Sequence, residues 1–497
     1  MCTEAVAHVF EPVSIDHPSA ASTTCGAVDD RVQTRNSAAP IRALINGLGH
    51  MGVRGLQALL LVSDELRARG VNVTARALVD VDRAITGKVQ QTLASVSPAP
   101  EILVHARTAP VDLAQLIEEI ARHDREPATY LVYDASPNRF HFPNLKSVLS
   151  LPGALYLTEK PMLSNSAEQA ELEAICGTSA EIRTALAGRV FCDLVETESE
   201  VCLHLADMVA AGDLEIDSLT FFRLSSSGIA KTRRVAERSG VQGGAFVDKA
   251  IHDIAVTLAL LGGARDAYSV DISEATPLCF LPRTEGARTG LLDGANRIWS
   301  GARSQQEWPA DGASIVRTEW HCGAKTVPVV FNASWVGVER FEAVRRRRAA
   351  DAPGLAAMLK RGDGCPEWFY ARTAAPGFLN EDARLLEIDG RLCGKPTSLL
   401  VNFLAASKSI VPWIWDCAAR KRVTIPSRKY GANSLARVFE RVLLREQAGT
   451  VSGIGFESAL QAHRVLWNAH ELLIPGHIDA DLERKFGEDV LRQSDPA

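Results

Sequence analysis

The chain has 497 residues, 46% hydrophobic and 23% charged, with a formal net charge of −6. That length supplies two or three domains with ample core, and the composition is globular rather than disordered, fibrous or membrane-spanning. The acidic balance gives no general pull toward nucleic acid or an anionic membrane, and no apolar run is long enough to span a bilayer.

Residues 1–40 are rich in Ser, Thr, Ala, Asp and Pro, lack a basic and an apolar signal region, and read as a flexible N-terminal arm or one that packs on a partner subunit. The ten cysteines stand singly. With no CxxC pair and no Cys/His cluster at zinc spacing, they read as reduced thiols of a cytoplasmic protein without a metal site.

The first strand is expected at 41–46. It runs into Gly47-Leu48-Gly49-His50-Met51-Gly52, and a leucine-bearing helix is expected at 53–69, closed by Gly70. A bare G-x-G-x-x-G is weak evidence among 36 glycines, but strand before and helix after strengthen it. The first glycine permits a tight turn, the second lets a pyrophosphate approach the backbone, and the third lets the helix sit close to the strand. Backbone N–H groups at the helix start would hold the phosphates. A second strand at 72–81 ends at Asp80-Val81-Asp82. A carboxylate at that tip accepts ribose hydroxyls and repels a 2′-phosphate, which favours NAD. Arg83 stands close enough in sequence to accept such a phosphate, so NADP stays open.

Further strands are expected at 101–104, 129–133 and 154–158, with helices at 111–123 and 142–150 between them. This alternation predicts a doubly wound parallel sheet, whose ligand lies at the C-terminal strand ends. The glycine turn, Asp80, Ser136-Pro137-Asn138 and Glu159-Lys160-Pro161 all fall at such ends. After Pro161 the pattern changes. Helices are expected at 168–175, 198–211, 244–261, 434–447 and 457–473. Strands are expected at 185–192, 218–225, 269–273, 314–322, 327–336 and 384–388. These describe a second, α+β domain with an open, mostly antiparallel sheet. The expected division is a Rossmann domain at 41–161, a substrate and oligomerisation domain at 162–480, and a tail at 481–497. Segment 341–378, with its run of arginines at 345–348, reads as an insertion presenting a solvated basic surface.

Three side chains suggest chemistry. Asp248 and His252 are i and i+4 on the long helix, so they share a face; Asp253 points elsewhere. A carboxylate that orients an imidazole makes a proton-transfer unit. Lys160 follows a strand at the expected cofactor edge, where an ammonium would hydrogen-bond a substrate oxygen. Taken singly, each is as readily structural. The run 225–234 carries Lys231, Arg233 and Arg234, either as a plain polar loop or as a cation set for a substrate phosphate.

These motifs, in this order, resemble the glucose–fructose oxidoreductase / inositol dehydrogenase (Gfo/Idh/MocA) family from about residue 41 to about residue 473. The matching pieces are the GLGHMG turn and Asp80-Val81-Asp82, then Ser136-Pro137-Asn138-x-x-His141, Glu159-Lys160-Pro161 and Gly243-Gly244-x-x-x-Asp248-x-x-x-His252. The resemblance implies Lys160, Asp248 and His252 as the catalytic trio. It implies a cofactor site lined by Gly47, Gly49, His50, Met51, Gly52, Asp80, Arg83, Ser136, Pro137, Asn138, Glu159 and Lys160. Substrate would meet Lys160, Asp248 and His252, with Lys231 and Arg233 as further contacts. The implied activity is NAD(P)-dependent hydride transfer at a secondary alcohol or ketone of a sugar, cyclitol or polyol, in a homodimer or homotetramer. Two alternatives are a bound, recycled NAD giving net hydrolysis, epimerisation or paired redox, and a nucleotide sensor without turnover. Three features depart from the pattern. His252-Asp253-Ile254-Ala255 lacks the family's later carboxylate, the segment after Val190 lacks R-R-F, and the leader and the segments near 291–312 and 341–377 are long.

Overall fold

The computed structural model describes residues 39–95, 103–106, 112–124, 126–151, 153–225, 244–261, 268–280, 311–335, 337–355, 357–358, 382–403, 413–444 and 454–473. Two sheets organise them. The first is six-stranded, in the order β3-β2-β1-β4-β5-β6. Its strands are β1 (Ile41–Asn46), β2 (Val73–Asp80), β3 (Leu103–Ala106), β4 (Thr129–Asp134), β5 (Leu155–Thr158) and β6 (Val190–Cys192). The chain divides into two compact units, residues 1–136 with 144–157, and 137–143 with 158–497.

In the first unit β1 pairs in parallel with β2 and β4, and β2 with β3. Continuous burial of Ala43–Asn46 and of Tyr130–Asp134 is what a parallel sheet covered on both faces requires. The helix His50–Arg67 buries Leu56, Leu59, Val62 and Leu66. Each such side chain contributes roughly 1.5–3 kcal/mol. Gly55, on the same helix, lets it settle on β4, since a Cβ there would overlap the Tyr133 ring.

The second unit holds an eight-stranded sheet in the order β14-β13-β12-β11-β7-β10-β9-β8. Its strands are β7 (Leu214–Ser225), β8 (Tyr268–Phe280), β9 (Asp311–Cys322), β10 (Lys325–Ser334), β11 (Asp382–Leu392), β12 (Lys395–Asn402), β13 (Trp413–Asp416) and β14 (Lys421–Val423). All neighbours are antiparallel except β7 with β10. Strand period two sends alternate β7 residues to opposite faces. Arg223 bonds Asp253 on the helix Ala245–Leu261, while Phe222 meets Phe341 edge-on with ring centroids 6.5 Å apart.

The expected α/β plus open-sheet α+β class is therefore present, with local corrections. Residues 185–187 belong to a helix, Ala180–Ala187, and only Val190–Cys192 is strand. Ser179 caps that helix by accepting from the Ile182 N–H, a signal that outweighs the β-branched character nearby. The helix Arg83–Ser95 and strands β12–β14 carry no sequence expectation.

The basic segment also differs from the solvated surface expected of it. Val338–Arg348 is a helix whose Phe341 is fully buried, and Arg345 and Glu342 are buried as well. The Arg345 guanidinium donates to Glu342 Oε2 at 2.9 Å and to the Ala352 carbonyl at 2.8 Å, while Glu342 Oε1 accepts from the Leu355 N–H at 2.7 Å. A buried arginine is tolerated because each charge is paired and bonded. Arg346 and Arg347 match the expectation, being exposed. No described helix is long and apolar enough to cross a membrane.

Candidate functional site

In the first unit the glycine turn has the build of a phosphate cradle. Gly47 has φ +90°, and a Cβ there would lie 2.6 Å from the Ala135 carbonyl oxygen, so only glycine fits. A Cβ at Gly52 would overlap the Gly47 carbonyl. A Cβ at Gly49 would meet nothing within 4 Å among the described residues, so no described neighbour requires a glycine here. Gly49 is also the N-cap of the helix His50–Arg67, and no side chain caps that end. Open backbone at an uncapped helix start with Gly at the cap fits a dinucleotide pyrophosphate. Asp80 stands at the end of β2. Its Oδ2 accepts the Leu48 N–H at 2.6 Å and its Oδ1 the Asp82 N–H at 2.8 Å. It thus ties the acidic strand end to the glycine turn, with lone pairs left over for ribose hydroxyls. His50 and Arg83 are exposed and Met51 is partly so.

At the end of β4 a buried carboxylate shapes the next loop. Asp134 accepts from Asn46 Nδ2 at 3.0 Å, Asn144 Nδ2 at 2.7 Å, Tyr156 Oη at 2.6 Å and the Ser136 N–H at 3.1 Å. Asp134 is a positioning residue that the motif reading passed over. Its signal was only its place, at the end of an apolar strand immediately before the loop.

In the second unit, Pro137 caps a short 3-10 turn at Asn138–Phe140, and the Asn138 carbonyl accepts the Ser164 hydroxyl at 2.8 Å. Two fully buried histidines hold the turn that carries Lys160. His141 Nδ1 lies 2.8 Å from the Pro161 carbonyl, and His463 Nε2 accepts the Met162 N–H at 2.8 Å. His463 Nδ1 sits 2.6 Å from the Ala459 carbonyl, so Nδ1 bears the proton and the ring is neutral. Burial holds its pKa down, to about 4. The unfolded chain therefore takes up this proton first, near pH 6.5, and stability falls as pH drops from there toward 4. Between pH 7 and 5 the wild type is expected to lose about 2 kcal/mol more stability than His463→Gln, checked by denaturant unfolding at both pH values. Equal losses would remove His463 as the acid-sensitive group.

Lys160 meets the long helix. Its Nζ lies 2.6 Å from Asp248 Oδ1 and 2.7 Å from the Asp248 carbonyl. The other carboxylate oxygen accepts Trp335 Nε1 at 2.9 Å, and Lys249 Nζ stands 3.3 Å from it. The start of the helix is fixed from β9, where the buried Asp311 carboxylate accepts the Phe246 N–H at 3.1 Å and the Ser314 hydroxyl at 2.6 Å. Burial pushes the Asp311 pKa up to about 6. Gly244 is glycine for the same reason, since a Cβ there would overlap Asp311.

His252 follows one turn on, as the spacing predicts. The carboxylate at its ring is Glu196, on the 3-10 turn Val195–Glu198, with Oε2 3.3 Å from His252 Nδ1. The i,i+4 spacing instead assigned that partner to Asp248, whose carboxylate engages Lys160 and Trp335. Asp253 does point elsewhere and pairs with Arg223, Nη2 to Oδ1 2.6 Å. Arg223 Nη1 also donates to Glu196 Oε1 at 2.7 Å. Burial and the cations Lys160, Arg223 and Arg384 push the His252 pKa down to about 3, against the attraction of Glu196. Glu196, Arg223 and Trp335 were not singled out from sequence. The one hint was the missing R-R-F after Val190, which lies just before Glu196. Lys231, Arg233 and Gly243 lie outside the described residues.

No protein-family model and no curated protein matches the chain. Solved structures do match it in shape. An inositol dehydrogenase homolog from Azotobacter vinelandii, complexed with NAD+, aligns at TM-score 0.54 and 14% identity over 89% of this chain and 98% of its own. An NAD binding oxidoreductase from Klebsiella pneumoniae aligns at 0.53 and 16%, over 88% and 97%. The chain has the fold of these oxidoreductases. An aldose-aldose oxidoreductase from Caulobacter crescentus aligns at 0.52 and 12%, over 88% and 98%. The resemblance to the Gfo/Idh/MocA group that the five motifs suggest is thus met in the fold.

Proposed function

We propose that the protein is an NAD-dependent oxidoreductase that transfers hydride between nicotinamide and a secondary alcohol or ketone of a sugar, cyclitol or related polyol. The contact between Lys160 and Asp248 carries this reading: it holds an ammonium in place one helical turn before a partly exposed, neutral histidine. Asp248 is gripped through both oxygens, by Lys160 and by Trp335, so the ammonium keeps its position and has a proton left to donate. Lys160 hydrogen-bonds the substrate oxygen and stabilises the alkoxide character that grows there. His252, uncharged, takes the hydroxyl proton during oxidation and returns it during reduction. The nicotinamide, when bound, supplies the hydride acceptor or donor. Gly47, Gly49 and Gly52 with the open helix start hold the pyrophosphate, and Asp80 accepts the ribose hydroxyls. Solved structures of similar fold support a polyol: one from Azotobacter vinelandii is complexed with NADH and myo-inositol, and one from Lactobacillus casei with NAD(H) and scyllo-inositol.

Cofactor binding gives the first test. Calorimetric titration is expected to show NAD binding to the full chain and discrimination against NADP. Asp80→Asn removes the repelling charge but keeps an acceptor for the Leu48 N–H. It is expected to narrow the NAD preference by about tenfold or more, the scale of one lost charge interaction of roughly 1.4 kcal/mol. An unchanged ratio would detach Asp80 from the ribose.

A further inference from the structure

We infer that Glu196 is the positioning residue of His252: its carboxylate holds the Nδ1–H of the imidazole and leaves Nε2 as the nitrogen that takes the substrate proton. The inference rests on the oxidoreductase reading for its chemistry, and on geometry alone for the hydrogen bond.

Glu196 Oε2 and His252 Nδ1 are both buried, and neither makes a full hydrogen bond among the described residues. They face each other at 3.3 Å. A proton on Nδ1 satisfies both at once. A proton on Nε2 would set two buried acceptors against each other, an arrangement that folded interiors avoid. The carboxylate does not depend on the histidine for its place. Its other oxygen accepts Arg223 Nη1 at 2.7 Å and lies 3.4 Å from Arg384 Nη1. Arg223 is clamped from its far side by Asp253, the residue after His252. The carboxylate, the arginine and the histidine's own helix thus form a closed ring of contacts, which fixes the imidazole plane.

The charge balance agrees. The charged groups that face His252 are Glu196, Lys160, Arg223 and Arg384. Burial opposes an imidazolium there most strongly, the three cations oppose it further, and Glu196 favours it. Burial also opposes charge on Glu196, but the guanidinium groups of Arg223 and Arg384 beside it favour the carboxylate, and its carboxyl lies well below the usual range. When the substrate O–H bond breaks and the proton bonds to Nε2, the new positive charge is matched by an anion already fixed against Nδ1.

Long-range proton–nitrogen NMR of histidine-labelled protein, with the His252 signals assigned by their loss in His252→Ala, reads the tautomer directly. The wild type is expected to carry the proton on Nδ1. In Glu196→Gln the amide oxygen stays with its arginine donors and the amide N–H2 faces the ring, so the proton is expected to move to Nε2. Turnover then falls by about 10²–10⁴-fold with NAD affinity unchanged, the scale seen when a catalytic histidine is held in the wrong tautomer. Glu196→Ala, which leaves Nδ1 without a partner, is expected to mix the tautomers and to lower turnover less. A wild-type proton on Nε2, or a Gln variant with unaltered tautomer and turnover, would overturn the assignment. Failure of the oxidoreductase reading would show separately, as no turnover in the wild type, and the tautomer measurement stands without any substrate.

Discussion

Lys160→Met is expected to lower turnover by about 10²–10⁴-fold while NAD binds as tightly as before. The substitution keeps the length and much of the bulk of the side chain and removes only the ammonium. Asp248 then loses the partner at 2.6 Å but keeps Trp335 Nε1 at 2.9 Å, and its side chain is 30% exposed, so no uncompensated charge is sealed in the interior. The fold should therefore persist, and the loss should appear in kcat. His252→Ala is expected to fall in the same range, by removing the proton acceptor. The double variant should lose much less than the product of the two, because both groups act on one oxygen. Steady-state kinetics beside an NAD titration separates these outcomes. Full turnover in either single variant would remove that residue from the chemistry.

The glycine turn gives the second large effect, and its three members should respond differently. Gly52→Ala forces a methyl into the Gly47 carbonyl, so the helix must shift from the turn it closes. Overpacking of that kind typically costs 1–3 kcal/mol, and a displaced cradle is expected to bind NAD about 10²-fold more weakly or worse. Gly47→Ala combines a φ of +90° with a Cβ 2.6 Å from the Ala135 oxygen and should be at least as damaging. Gly49→Ala is the informative contrast. Its methyl meets no atom of the described residues within 4 Å, so thermal stability should match the wild type. NAD affinity should nevertheless fall by about tenfold or more, because the methyl stands where the pyrophosphate approaches. Thermal melts with calorimetric titration decide this. A Gly49→Ala protein that binds NAD like the wild type would mean that the turn serves the fold alone.

The contrast also shows what could be read from the chain in advance. Local backbone demands were legible: a glycine required by positive φ and a glycine required by helix approach each leave a mark within a few residues. Partnerships across the chain were not. The carboxylate at His252 is Glu196, 56 residues earlier, brought there by a short 3-10 turn with no periodic signature. The indole that steadies Asp248 comes from Trp335, just past β10. The arginine run at 345–348 misled for a related reason. Charge in sequence suggested solvent, but Glu342 three residues before Arg345 and the Ala352 carbonyl seven after it provide a buried seat for one guanidinium. Composition records that the charges exist, whereas burial depends on pairs that only the folded chain assembles.

Hydride transfer with a polyol or its ketone is read directly from reduced-nicotinamide absorbance. The full chain with NAD is offered a panel of cyclitols, aldoses and related polyols, and with NADH the matching ketones, in wild-type and Lys160→Met forms. At least one panel member is expected to change the signal catalytically with the wild type, at a rate about 10²-fold or more above that of the variant. A wild-type protein that binds NAD yet turns over none of the panel, or a variant that matches it on a true substrate, would contradict the account.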